Sequence, residues 1–103
     1  MLQQILKDRL PFMIEEFKKH KIKRVFVFGS ACTNHFNENS DLDFLISFKE
    51  GIEPLERGEL WWSLYDTLKL TFNREIDLLT ENQLKNPYFI QEINKTRQLI
   101  YGE

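Results

Sequence analysis

The sequence predicts an α/β fold: a small mixed sheet of three core strands with helices packed on it. Two patterns in the 103 residues carry the class. Apolar residues recur at spacings of three and four near both ends and in the middle, the period of amphipathic helix. Between those stretches lie three shorter runs, at 22–28 (IKRVFVF), rich in β-branched and aromatic residues, at 42–48 (LDFLISF), largely apolar, and at 74–80 (REIDLLT), alternating, which read as strands. A third observation is chemical and sets the strand directions. Asp41 and Asp43 open the second run, and Asp77 lies early in the third.

At the amino end, Leu2, Ile5, Leu6, Leu10, Met13, Ile14 and Phe17 form a helical stripe. Pro11 removes a backbone donor and disfavours helix at Leu10, so a break is expected near Arg9 and Leu10, with a second helix running from Pro11 to about His20. Lys18, Lys19 and Lys21 then complement the negative end of its dipole. The first strand comes next at 22–28 and ends at Gly29. Residues 30–40 are polar and suit a short helix or turn leading into a loop. The second strand carries apolar residues on both faces after Asp43, as expected of a strand covered on both sides.

A helix is expected from about Leu55 to Phe72, with Trp61, Leu64, Tyr65, Leu68 and Phe72 inward and Trp62 and Leu70 off the stripe. In the third strand, alternation places Glu75, Asp77 and Leu79 on one face and Ile76 and Leu78 on the other. Asn86-Pro87 reads as an N-cap with proline at the first helical position, opening a last helix. Leu99, Ile100 and Tyr101 read as a short closing strand.

Composition narrows the function. With 42% apolar and 14% aromatic residues, the chain is expected to be one domain over 1–103, with one modest core and no second lobe. A formal charge of −2 offers no field for a nucleic-acid backbone, and no direct nucleic-acid binding is expected. No apolar stretch is long enough to span a bilayer, and no signal-like amino terminus is visible. With one cysteine there is no internal disulfide, so a cytoplasmic location is the expectation. His20 and His35 have no partner at metal-ligand spacing, and Cys32 reads as a small filler residue.

The acids remain to be explained. On a strand, Asp41 and Asp43 point the same way with Cα atoms about 7 Å apart, while Leu42 and Phe44 point the other way. Two such charges on the rim of a buried sheet repel unless a cation lies between them, and oxygen ligands suit magnesium. A metal and phosphate site at this end of the sheet is therefore expected. For Ser30, ending the first strand, to meet Asp41, starting the second, those strands must be antiparallel. For Asp77 to join them, the third strand must run beside the second and parallel to it.

Gly29-Ser30, then Asp41-Leu42-Asp43, then Glu75-Ile76-Asp77 resembles the nucleotidyltransferase superfamily that includes DNA polymerase beta. The chain is most similar to its stand-alone minimal nucleotidyltransferases, over nearly its whole length. The resemblance implies a polymerase beta-like fold and a role for each motif residue. Gly29 would let the backbone approach a nucleotide phosphate, and Ser30 would hold its terminal oxygens. Asp41 and Asp43 would ligate two magnesium ions, and Asp77 would bind the second and act as general base towards the attacking hydroxyl. ATP is the implied substrate, with AMP transferred and pyrophosphate released.

Minimal members resemble antitoxins encoded beside a HEPN-domain ribonuclease toxin, and these transfer AMP to a tyrosine of that toxin. The resemblance thus implies a HEPN-domain partner and a hetero-oligomer with it, in which Trp62, Leu70 and Tyr101 would find packing. Two alternatives stand beside it: neutralisation of a toxin by binding alone, and nucleotidyl transfer to a small hydroxyl compound. One departure bears on them. Close relatives carry Arg-x-Arg-Gly after Gly-Ser, where this chain has Ala31-Cys32-Thr33-Asn34, which implies either weak nucleotide binding or the use of other cations such as Arg24, Lys49 or Arg74.

Overall fold

The computed structural model describes residues 2–102. The elements are α1 (Gln4–Lys19), β1 (Ile22–Phe28), β2 (Leu42–Phe48), α2 (Pro54–Phe72), β3 (Ile76–Thr80), α3 (Pro87–Thr96) and β4 (Gln98–Tyr101). They form one mixed sheet in the order β3-β2-β1-β4. β1 is antiparallel to β2, and β2 is parallel to β3, as the convergence of the acids requires. β4 adds an antiparallel edge beside β1.

Alternation along the central strands builds two unequal cores. Val25, Val27, Leu42, Phe44 and Ile46 face α1 and α2, meeting Leu6, Met13, Phe17, Leu64 and Leu68. Phe28 and Leu45 face the other way and meet Ile93 of α3. β2 is therefore covered on both sides, which is why its apolar residues do not alternate with polar ones. Asp43 and Asp77 share the parity of Leu45 and Leu79, which places both acids on the α3 face of the sheet.

The expected break at Leu10 does not occur: α1 runs through Pro11 as one helix. Pro11 lies on the exposed side, while Leu6, Met13 and Phe17 are fully buried in one stripe. Burial of that stripe outweighs the loss of one helical hydrogen bond at a solvated position. α2 has the expected pattern, with Leu64 and Leu68 buried, Trp61, Tyr65 and Phe72 packed at the core margin, and Trp62 and Leu70 62% and 84% exposed. The Asn86 side chain caps α3, accepting from the amides of Tyr88 and Phe89. Tyr101 is half-buried at the core margin, with its ring 5.5 Å from that of Phe17. Among the described residues, no helix is long and apolar enough to cross a membrane.

Candidate active site

β1 ends at Phe28 and the chain turns at once. Gly29 takes a φ of +74° and opens a 3-10 turn over Gly29–Cys32. The two residues after the Gly-Ser pair tie the turn down, because Ala31 and Cys32 are buried in the larger core. The Thr33 amide and hydroxyl both donate to the Ser30 carbonyl, each at 3.0 Å. Cys32 donates to the Val27 carbonyl at 3.4 Å, and burial pushes its thiol pKa up, so it stays protonated and inert at neutral pH.

Strand register assembles the acids. Phe28 pairs with Asp43 across β1 and β2, and Asp43 pairs with Asp77 across β2 and β3, so one row across the sheet reads Phe28, Asp43, Asp77. Neighbouring strands lie about 4.8 Å apart, which makes Asp43 and Asp77 side-by-side neighbours on one face. Asp41 precedes β2 by one residue and shares their parity. Gly29 closes the site from β1: a Cβ there would lie 2.5 Å from Asp43 Oδ2.

The electrostatics match this crowding. The Asp43 carboxyl is pushed up to about 6, first by burial and then by the charges of Asp77 and Asp41. Among the described residues no lysine or arginine forms an ion pair with any of the three. Nor do any three His, Cys, Asp or Glu side chains among the described residues form a ready metal-binding group. The acids are neighbours on one face, not a preformed cage. That arrangement suits a hard cation that retains several waters and shares its shell with substrate phosphates, as magnesium does. A half-buried carboxylate with two like-charged neighbours and, among the described residues, no lysine or arginine paired with it is the observation that makes the residues fit such an ion.

Two further residues hold this end of the sheet. The Gly29 amide donates to Thr96 Oγ1 at 2.7 Å, linking the turn to the end of α3. Arg74 Nη1 donates to the carbonyls of Asn37, at 3.1 Å, and Ser40, at 2.8 Å, while the guanidinium lies 4.6 Å from the Phe36 ring centre. Arg74 thus fastens the loop that delivers Asp41. Thr96 was invisible in the sequence, lying 67 positions from its partner.

The other candidate cations are placed differently. Arg24 forms a two-pronged pair with Glu81, at 2.9 and 3.0 Å, and is registered with Ser47. That is four strand residues, about 13 Å, from the Phe28 row. Lys49 lies just past the far end of β2. Neither replaces the missing arginines beside Ser30, and Arg74 is committed to the loop carbonyls.

Comparison with known proteins agrees with this fold. Residues 13–103 match the family model described as "Polymerase beta, Nucleotidyltransferase". A Methanocaldococcus jannaschii protein provisionally named a protein adenylyltransferase is 38% identical over 84 residues, covering 82% of this chain and 80% of the relative. A solved toxin-antitoxin structure with AMP-PNP superposes with a TM-score of 0.68 at 17% identity, over 91% of this chain and 73% of that one. A Shewanella oneidensis structure of a tri-AMPylated HEPN toxin in complex with an MNT antitoxin gives 0.59 at 16% identity, over 94% of this chain and 72% of that one. At such identities the two solved structures establish a shared fold.

Proposed function

This chain belongs to the polymerase beta nucleotidyltransferase family, and from that premise we propose that it transfers AMP from ATP to a tyrosine hydroxyl of a HEPN-domain partner protein. The observation that carries the reading is the row in which Asp43 and Asp77 stand side by side, with Asp41 beside them, Gly29 against them and no lysine or arginine paired with any of the three among the described residues. The provisional name of the relative and the modified toxin in the structural neighbour support the acceptor class.

In this reading Gly29, lacking a side chain, lets the triphosphate lie against the backbone, and the Ser30 hydroxyl donates to a phosphate oxygen. Asp41, Asp43 and Asp77 would hold two magnesium ions, whose charge offsets that of the triphosphate and of the departing pyrophosphate. Asp77, exposed at the head of β3, takes the proton of the acceptor hydroxyl. The acceptor oxygen then bonds to the α-phosphorus as the bond from that phosphorus to the bridging oxygen breaks, and pyrophosphate leaves with the electron pair. Incubation with α-labelled ATP, magnesium and a HEPN-domain protein encoded beside this chain should label a tyrosine of that protein. Labelling should vanish with Asp41→Asn and with Asp43→Asn. Undiminished labelling by both variants would overturn the proposal.

A second reading is favoured by one feature, the absence of cations beside Ser30, where Ala31 and Cys32 are core residues and the Gly29 amide is taken by Thr96. In it the chain silences its partner by binding alone. An Asp43→Asn protein would then still bind and neutralise the partner, and a requirement for the carboxylate would reject that reading.

A further inference from the structure

The end of the sheet opposite the acids holds a cavity of about 890 Å³, between the last residues of β2 and β3, the first of β1 and the amino end of α2. That volume lies within the range of small-molecule sites. Its lining carries four cations, Lys23, Arg24, Lys49 and Arg57, against two carboxylates, Glu50 and Glu81, in a chain whose net charge is −2. Glu81 is engaged by Arg24. Lys23, Lys49 and Arg57 form no ion pair among the described residues. Pro54, Arg57 and Gly58 bring the first turn of the 19-residue α2 to the wall, and Glu53 gives that helix no side-chain cap. The positive end of a helix dipole is thus added to a surplus of cations.

Two observations mark groups in this cavity that a ligand would engage. Thr80, only 8% exposed, lines the cavity, and its Oγ1 has no hydrogen-bond partner. An orphaned buried hydroxyl is costly, and native structures rarely retain one without a ligand or water to meet it. Trp62 stands at the same wall, 62% exposed, with its ring set edge-on to Trp61 at 86° and to Tyr65 at 83°. Its neighbours fix the ring without covering it, the condition for stacking an incoming planar group.

We propose that this cavity is a second binding site, distinct from the acid row, for a small ligand that joins a phosphate to a planar ring, the nucleoside monophosphate class. Lys49, Arg57 and the amino end of α2 meet the phosphate, Trp62 stacks on the ring, and the Thr80 hydroxyl, on turning towards the ligand, gains a partner. Asp41, Asp43 and Asp77 play no part, so the site works without a metal.

The chain has two tryptophans, and both line this cavity, so intrinsic fluorescence excited at the red edge of tryptophan absorption reports on it alone. AMP titrated into the full chain with a chelator present should quench saturably with a millimolar or tighter Kd. Lys49→Ala combined with Arg57→Ala should weaken that binding about tenfold or more, since both remove charge from a phosphate contact. Thr80→Val should weaken it about threefold or more and Thr80→Ser should restore it, with unchanged circular dichroism in each case. Inorganic phosphate alone should bind at least about tenfold more weakly than AMP, for want of the ring. A flat titration to about 10 mM AMP, equal quenching in the double variant, or equal binding of phosphate and AMP would each overturn the proposal.

Discussion

Asp43 occupies the space into which a side chain on Gly29 would have to grow. The ideal Cβ position at Gly29 is 2.5 Å from Asp43 Oδ2, and the φ of +74° there already disfavours any L side chain. Both constraints fall on one substitution. Gly29→Ala should lower stability by about 1 to 2 kcal/mol in urea unfolding, from backbone strain together with displacement of the carboxylate. It should lower the rate of nucleotidyl transfer about a hundredfold or more, because a shift of the order of 1 Å in a reacting group has that effect. Wild-type transfer by a folded Gly29→Ala protein would show that Asp43 does not act where it stands.

The same carboxylate fixes the pH dependence of the metal-free protein. Burial, Asp77 and Asp41 raise its pKa to about 6, so the folded chain binds this proton more tightly than the unfolded chain, whose aspartates titrate near about 3.9. The stability this contributes is fully present below about pH 4 and is lost as pH rises through about 6. Asp43→Asn, which removes the charge, should therefore stabilise the chelated protein at about pH 8. We expect a gain of about 1 kcal/mol, discounted for the partial exposure of the site, and almost none at about pH 4. Adding magnesium at the higher pH should raise the Tm of the wild-type protein and leave that of Asp43→Asn unchanged. A gain equal at both pH values would mean that crowding of charge is not what strains the site.

Most of the sheet was legible because burial on both sides writes itself into composition. The strands at 22–28 and 42–48 coincide with β1 and β2, and the alternation of Ile76, Asp77 and Leu78 was correct. The third strand starts two residues later than its apolar run suggested, since Arg74 turns away to the loop carbonyls. The helix break failed because a single proline on a solvated face weighs less than a continuous stripe through Leu6, Met13 and Phe17. Sequence order does not say which end of a sheet a residue reaches, which is why Arg24 and Lys49 stood as candidate ligands of the triphosphate beside the acids. The antiparallel register of Arg24 with Ser47 decides against both. Local pattern likewise gives a short closing strand but not its partner. The place of β4 beside β1 depends on Gly102, at a φ of +83°, where a Cβ would strike the backbone carbonyl of Lys23.

Arg74 supplies a further prediction, because its charge serves the loop and not a phosphate. Its guanidinium donates to Asn37 and Ser40 and lies over Phe36, so it holds the segment from which Asp41 projects. Arg74→Ala should lower stability by about 2 kcal/mol, the scale of hydrogen bonds made by a charged group. Amide exchange at Asn39, Ser40 and Asp41 should quicken in step. Arg74→Lys should recover less than half of the loss, since an ammonium keeps the charge but neither the planar fork nor the stacking. Transfer should fall in both variants, and the magnesium concentration for half-maximal rate should rise, because Asp41 would no longer be held beside Asp43. A loss of stability with unchanged magnesium dependence would reduce Arg74 to a fastening of the loop with no bearing on the acids.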